Sequence, residues 1–177
     1  MTQPAIEDKK NLLIFALMLI TLTAVAVTVW ALFFRTPDVH LAPDYAPVDT
    51  EQHAQPIPGD QGEQTQAQPG SGSVSLTYSN EVVIDLNSGL AELLFANPGR
   101  SNQDMVLQIV IQGTVILQSG RITPGNQVTQ LELSADAAQL LSSGGYEGSF
   151  LVFYYDPVSG EKAIVNTEIP ISVTVTQ

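Results

Sequence analysis

The chain of 177 residues has no cysteine, only six basic residues, two histidines and one tryptophan. The absence of cysteine excludes disulfides, thiolate metal sites and thiol nucleophiles. Small secreted animal domains usually depend on disulfides, so an extracytoplasmic domain without them is more typical of a bacterial surface. The formal net charge is −12, and no cluster of Lys and Arg is present to neutralise phosphates. The composition therefore predicts no nucleic-acid partner.

Residues 12–34 contain no charged residue, and only Thr21, Thr23 and Thr28 among these 23 residues are polar. As a helix, this run would be about 35 Å long. That length covers a hydrocarbon core of about 30 Å with some tilt. Trp30 lies near its end, where aromatic side chains favour the membrane interface. The run therefore predicts one transmembrane helix in the lipid bilayer.

Two alternatives to a permanent anchor are a cleaved signal peptide and a buried core helix. A signal peptide has a shorter apolar region and a small-residue cleavage site, whereas this run ends in bulky residues, and nothing upstream could cover a core helix. We therefore expect an uncleaved signal anchor. Lys9 and Lys10 precede the run and Arg35 follows it, so residues 1–11 are predicted to be a cytoplasmic tail. The expected location is the cell membrane, single-pass, with the C-terminal domain extracellular.

Residues 35–72 change in character. They contain six prolines and six acidic residues, many Gln and Gly, and few large apolar residues. Such a composition buries too little surface to offset chain entropy, so it predicts a disordered, acidic, Pro- and Gln-rich linker. Both histidines, His40 and His53, lie in this segment, where a fixed catalytic or metal geometry is not expected.

Residues 73–177 predict an all-β domain, because short apolar or alternating runs are separated by Gly, Pro and Asn. Turns are predicted at Thr123–Asn126 and Asp156–Glu161, a short helix at 135–141 ending at Gly144 and Gly145, and an edge or entry position at Pro170. The expected strands are 74–78, 81–86, 91–95, 105–111, 114–117, 128–133, 149–155 and 169–175.

The segment Leu140-Leu-Ser-Ser-Gly-Gly-Tyr146 resembles the start of the F strand in immunoglobulin-like and fibronectin-type-III-like sandwiches. With Asn97-Pro-Gly, Ser119-Gly-Arg-Ile-Thr-Pro-Gly125 and the closing Ile-x-Val-x-Val strand, residues 80–177 look like a small module of Gram-positive surface proteins. The resemblance implies an antiparallel β-sandwich. It gives Leu140, Gly145 and Tyr146 structural roles, with the Tyr146 hydroxyl bonded to upstream backbone in a tyrosine corner.

Residues 73–177 contain no His and no Cys, so Ser-His-Asp and Cys-His arrangements are excluded there. No catalytic residue, cofactor site or metal site is therefore assigned, and an enzyme is not expected. Two alternatives remain open. One is a Ca²⁺ site built from Asp156, Glu161 or Asp104, and the other is a carboxylate pair of the glycosidase kind.

Aromatic side chains are the remaining candidates for ligand contact. Strand alternation separates Phe153 and Tyr155 from Phe150 and Tyr154, and the simplest interpretation is that both faces are partly buried. The alternative is that Phe153 and Tyr155, with Tyr78, face a ligand.

The arrangement of anchor, spacer and domain predicts a membrane-anchored module that mediates protein–protein interaction at the bacterial cell surface. It would serve as an adhesin-like display domain or as an accessory subunit of an envelope complex. The alternative is a module that binds carbohydrate or cell wall. The expected partners are thus a protein of unknown identity or a glycan.

Overall fold

The computed structural model describes residues 4–34, 43–60, 62 and 72–177. The chain divides into two compact units, Met1–Asp38 and Val39–Gln177. The first holds one long helix and the second is β-rich. The elements are α1 Pro4–Phe34, β1 Gln55–Pro56, β2 Thr77–Tyr78, β3 Glu81–Asp85, β4 Leu90–Asn97, β5 Asp104–Ile111, β6 Thr114–Gln118, β7 Asn126–Glu132, α2 Ala137–Leu140, β8 Gly144–Tyr155 and β9 Lys162–Thr176.

Helix α1 has 31 residues and begins at Pro4, eight residues before the uncharged run. Proline fits the first turn of a helix because the N–H that it lacks would have no intrahelical partner there. The hydroxyls of Thr21 and Thr28 donate to the carbonyls of Leu17 and Ala24, so the helix itself satisfies these polar groups. Over the part of the chain that the structure describes, no helix combines the length and apolar character needed to cross a membrane, so the predicted transmembrane span is not confirmed.

The β-rich unit is built on one continuous sheet in the order β1-β7-β4-β3-β9-β8-β5-β6, with β2 also paired to β4. The sheet curls back on itself, since the Ser134 N–H donates to the Ile116 carbonyl of β6 two residues after β7 ends. The β-rich prediction is confirmed, but a sandwich of two separate sheets is not. The expectation of purely antiparallel pairing is wrong at one place, because β3 and β9 pair in parallel from Glu81 and Ser172.

The core lies inside the curl, where apolar side chains alternate with polar ones that face outward. At its centre, Phe95 of β4 and Phe150 of β8 meet edge to face with ring centroids 6.1 Å apart. Strand β5 is buried on both faces, which explains its nearly continuous apolar sequence. A second, outer cluster comprises Val106, Phe153 and Tyr155.

Most predicted strands are observed within two residues at each end, but β8 and β9 are longer than predicted. Strand β8 begins at Gly144 and β9 at Lys162, so residues 144–148 and 162–168 are strand rather than connection. The predicted helix shrinks to the single turn Ala137–Leu140, and Gly144 and Gly145 open β8 instead of ending that helix. The Asp156–Glu161 turn is confirmed, with Gly160 at φ +71° and its N–H donating to the Asp156 carbonyl.

Residues 43–60, which we call the strap, correct the prediction of a disordered linker over 35–72. The strap lies along the β-rich unit. Its backbone pairs with the β8–β9 turn through Tyr45, with Arg121 through Thr50, and with β7 through β1. The composition could not indicate that the strap docks on the β-rich unit, because backbone hydrogen bonds to tertiary neighbours require no apolar sequence pattern. The other linker residues (35–42, 61 and 63–71) lie outside the described residues.

Candidate functional site

The strap is held at one point by the Glu51 carboxylate, whose side chain is 9% exposed, and a glycine. Glu51 Oε2 accepts a hydrogen bond of 2.6 Å from the Gly120 N–H, and its Oε1 accepts one of 3.0 Å from the His53 N–H. His53 Nδ1 lies 3.2 Å from the same Oε1. A Cβ added to Gly120 would lie 2.9 Å from the Glu51 Cα and N. His53 therefore takes part in the contact that holds the strap.

The aromatic candidates of β8 are covered by the strap. Phe153 and Tyr155 are buried, and the Tyr155 hydroxyl donates to the Pro43 carbonyl at 3.0 Å. Ala46 packs on the same outer cluster. Burial of the Tyr155 phenol raises its pKa, and the nearby Asp44 carboxylate adds to this effect. The hypothesis that Phe153 and Tyr155 face a ligand is thus wrong, and only Tyr78 remains partly exposed.

The three residues that the resemblance marked as structural have different environments. The Tyr146 hydroxyl donates to the Ser142 carbonyl at 2.9 Å and accepts from the Ser142 N–H at 3.1 Å, which is the backbone contact that the resemblance implies. Leu140 is 62% exposed, whereas its neighbour Leu141 is in the core, so the packing role falls one residue later. A Cβ on Gly145 would meet no atom within 4 Å, so no close contact requires glycine there.

The carboxylates proposed for Ca²⁺ do not gather around one point. Asp156 Oδ1 accepts hydrogen bonds from the Val158 and Ser159 N–H groups, and these bonds lower the pKa of Asp156. Asp104 is buried next to Arg121, with Oδ2 3.5 Å from Nε, and desolvation raises the pKa of Asp104. Among the described residues, no group of three His, Cys, Asp or Glu side chains could hold a metal ion.

The outer edge of β9, which faces away from β8, is paired at both ends. At one end the Lys162 N–H donates to the Asp44 carbonyl of the strap at 2.9 Å, and at the other the Ser172 N–H donates to the Asn80 carbonyl at 2.8 Å. Between them, no described residue pairs with this edge. We call this stretch, residues 163–171 of β9, the β9 gap.

The backbone groups of the β9 gap can be assigned from the pairing with β8. The register runs without interruption from Asn166 opposite Phe153 to Val175 opposite Gly144. Backbone groups alternate in direction along a strand, and Ser172 points outward, so the N–H groups of Asn166 and Glu168 also point outward. Pro170 occupies the next outward position and has no N–H to leave unpaired.

A bulge carries two apolar side chains out of the sheet at one end of the β9 gap. Lys162 is opposite Tyr155, whereas Asn166 is opposite Phe153, so β9 has two extra residues in this interval. Ile164 is fully exposed and Val165 is 68% exposed. Tyr45 of the strap, 62% exposed, lines the same groove as Ile164. We call Tyr45, Ile164 and Val165 the bulge patch.

Acidic side chains flank the bulge patch. Asp44 and Glu161 line its groove, and Glu168 lies in the β9 gap, where it accepts a hydrogen bond of 3.0 Å from the Ser149 hydroxyl. Lys162 is the basic residue of this groove, and its Nζ lies 4.8 Å from the centre of the Phe153 ring. The sequence did not predict this region, because the polar run Asn166-Thr-Glu168 does not have the apolar pattern of a strand. The prediction of an edge or entry position at Pro170 was its only indication.

Comparison with known proteins gives little further guidance. No protein-family model matches the chain, and no curated protein matches it. Among solved structures, the chain is similar to AggA, the major subunit of aggregative adherence fimbriae type I from Escherichia coli. The match has 11% identity, covers 66% of this chain and 99% of that one, and has a TM-score of 0.27. A similarity this low supports no conclusion about fold or function.

Proposed function

We propose that this protein is a non-enzymatic module of a bacterial cell surface that binds another protein through its β-rich unit, and that α1 anchors it in the cell membrane. The anchor is supported by the 23 uncharged residues of the 12–34 run. Lys9 and Lys10 favour a cytoplasmic N-terminus, because basic residues near a span tend to stay on the cytoplasmic side. The β-rich unit would then act outside the cell.

The fold supports a display role for this unit. We further propose that the curled sheet is an immunoglobulin-like sandwich, because the Tyr146 hydroxyl caps the start of β8 and β8 lies between β9 and β5 in the sheet. Domains of this kind present loops and edges on a rigid core. The β8–β9 hairpin and the strap beside it are such features here.

The observation that carries the proposal is the bulge patch. Tyr45 and Ile164 line one groove with Asp44 and Glu161, next to the exposed Val165, and an exposed apolar patch rimmed by polar residues is a mark of a protein interaction site. The carbohydrate alternative has less support, since two of its three aromatic residues are buried and only Tyr78 remains partly exposed.

Site-specific photo-crosslinking tests the proposal. A photoreactive amino acid replaces Ile164 in the full chain in living cells, and the matched control replaces Val48, which is also almost fully exposed but lies outside the patch. We expect one discrete adduct from position 164, none from position 48, and loss of the adduct when Val165 is also changed to Asp. Equal adducts at both positions, or none at 164, would contradict a binding site at the bulge patch.

A further inference from the structure

The β9 gap has the dimensions of a site for one extended segment. Because two of its residues are bulged, the gap runs alongside only residues 148–154 of β8 and spans about 20 Å at roughly 3.3 Å per residue. The strap closes one end at Lys162 and the Asn80 carbonyl closes the other at Ser172, so an incoming strand has a fixed length. Between these limits, the outward N–H groups of Asn166 and Glu168 have no described partner.

The edge of the β9 gap also has two features that limit non-specific pairing with other strands, a bulge and a proline. A bulge twists a strand away from its neighbours, and a proline removes a donor. In the β9 gap, the bulge and the proline leave only two outward N–H groups for hydrogen bonds to an added strand. A short ladder binds weakly on its own, so side-chain contacts must supply the selectivity for an added strand.

The negative charge around the β9 gap favours a basic partner segment. Residues 43–177 carry fifteen acidic and three basic residues. Asp44, Glu161 and Glu168 lie at or next to the gap, and the bulge supplies Ile164 and Val165. A second copy of the chain would bring the same negative charge and be repelled, whereas a segment that alternates basic and apolar residues would be attracted.

We propose that the β9 gap binds an extended segment of another protein by strand addition, and that this segment alternates basic and apolar side chains. Backbone carbonyls of the segment accept hydrogen bonds from the Asn166 and Glu168 N–H groups. Apolar residues cover Ile164 and Val165, and basic residues meet the flanking carboxylates. This inference rests on the proposed function, because it specifies how the proposed protein partner binds.

The test uses the full chain in detergent micelles and a labelled probe peptide, acetyl-Lys-Val-Lys-Val-Lys-Val-Lys-amide, with binding followed by fluorescence anisotropy. We expect saturable binding that weakens as salt is raised. Two matched peptides separate the contributions to binding. One has Glu in place of every Lys, and the other carries an N-methyl group on every residue, which blocks strand pairing at both edges and keeps the side chains. Neither should bind, and binding of the N-methylated peptide as strong as that of the probe would overturn strand addition.

Two protein variants complete the test. Asn166→Pro removes one outward N–H, while the pairing with β8 remains, as Pro170 already allows at an equivalent position. Asn166→Thr changes the same side chain and keeps the N–H. We expect the proline variant to bind the probe about tenfold more weakly, and the threonine variant to match the wild type. Unchanged melting temperatures show that both variants fold, and equal affinities for the two would overturn the proposal.

Failure of this inference and failure of the proposed function give different results. If the Ile164 photo-crosslink persists in Asn166→Pro and the probe binds both variants equally, a protein binds the bulge patch without strand addition. If the photo-crosslink is absent as well, the proposed function fails. Concentration-dependent self-association of the full chain that Asn166→Pro abolishes would overturn the proposal that the partner is another protein, because the gap would then pair with a second copy.

Discussion

At the scale of single residues, Asp104 is a buried carboxylate whose negative charge is only weakly stabilised by its neighbours. Its nearest partner, Arg121 Nε, lies 3.5 Å away, and desolvation raises the pKa of Asp104 above its ordinary value of 3.8. An acid whose pKa is higher in the folded state destabilises that state at pH values above its folded pKa, and this penalty disappears as the pH falls towards 3.8. Asp104→Asn should therefore be at least as stable as the wild type at pH 7. Urea denaturation from pH 3.5 to 7 should show the two curves converging at the acidic end.

The matched control is Asp60, whose pKa is shifted in the opposite direction. Its carboxylate accepts hydrogen bonds from the Gly99 N–H at 2.7 Å and the Gly62 N–H at 2.8 Å, and these bonds lower its pKa. Its stabilising contribution is present above pH 3.8 and is lost as the pH falls through the lowered pKa. Asp60→Ala should lower stability at pH 7, by an amount that shrinks in acid. The same pH dependence for both variants would contradict the assignment.

At the scale of elements, the strap is the part of the molecule that sequence analysis could not find. Strands such as β3 and β5 were predictable because their apolar side chains alternate or run together, and the curl of the sheet buries them. The strap instead docks through its backbone, for example from the Ala46 N–H to the Gly160 carbonyl at 2.8 Å. A polar segment rich in proline has the same composition whether it is docked or free.

The candidate site was missed for a similar reason. The bulge and the β9 gap depend on how β8 and β9 pair. The local sequence of β9 does not indicate that it has two more residues than β8 in this interval. Tyr146 could be identified because its segment resembles the start of the F strand in immunoglobulin-like sandwiches, and the backbone contact that the resemblance implies is observed with Ser142. Burial of Phe153 and Tyr155 agrees with the simpler interpretation of the strand alternation, but the strap that covers them could not be predicted because its composition is that of a linker.

The close contact between the strap and Gly120 gives a test at this scale. In Gly120→Ala, the new Cβ would lie 2.9 Å from the Glu51 backbone, so we expect a loss of about 1–3 kcal/mol in the free energy of unfolding. Gly145→Ala is the control, and it should change stability by less than about 0.5 kcal/mol because its Cβ meets no atom. Both are measured by urea denaturation of the full chain.

The same substitution in a shorter chain isolates the strap. In a chain that begins at Ser73, no Glu51 is present and Gly120→Ala should have little effect on stability. An equal loss in the long and short chains would show that Gly120 is constrained by its own turn and not by the strap. The chain from Ser73 should also be less stable than the full chain, since Tyr155 and Val106 would lose their cover.

At the scale of the whole molecule, the proposed anchor requires that α1 remain in the membrane and that the β-rich unit lie on the far side. Because the chain has no cysteine, single cysteines can report topology without background. Gln3→Cys marks the N-terminus and Val158→Cys marks the exposed β8–β9 turn. A maleimide that cannot cross the membrane is added to intact bacterial cells that produce each variant, and again after the cells are opened.

We expect Val158→Cys to react in intact cells and Gln3→Cys to react only after the cells are opened. If α1 is the proposed anchor, both variants should stay in the membrane fraction at alkaline pH, because a spanning helix is held in the hydrocarbon core and not only at the membrane surface. Leu19→Arg together with Val25→Arg places charges in the middle of the run, where each is strongly unfavourable in lipid, and should release the protein from that fraction. Retention of the double-arginine variant would mean that something other than α1 holds the chain at the membrane. Labelling of Gln3→Cys in intact cells would reverse the proposed orientation, and the β9 gap would then face the cytoplasm.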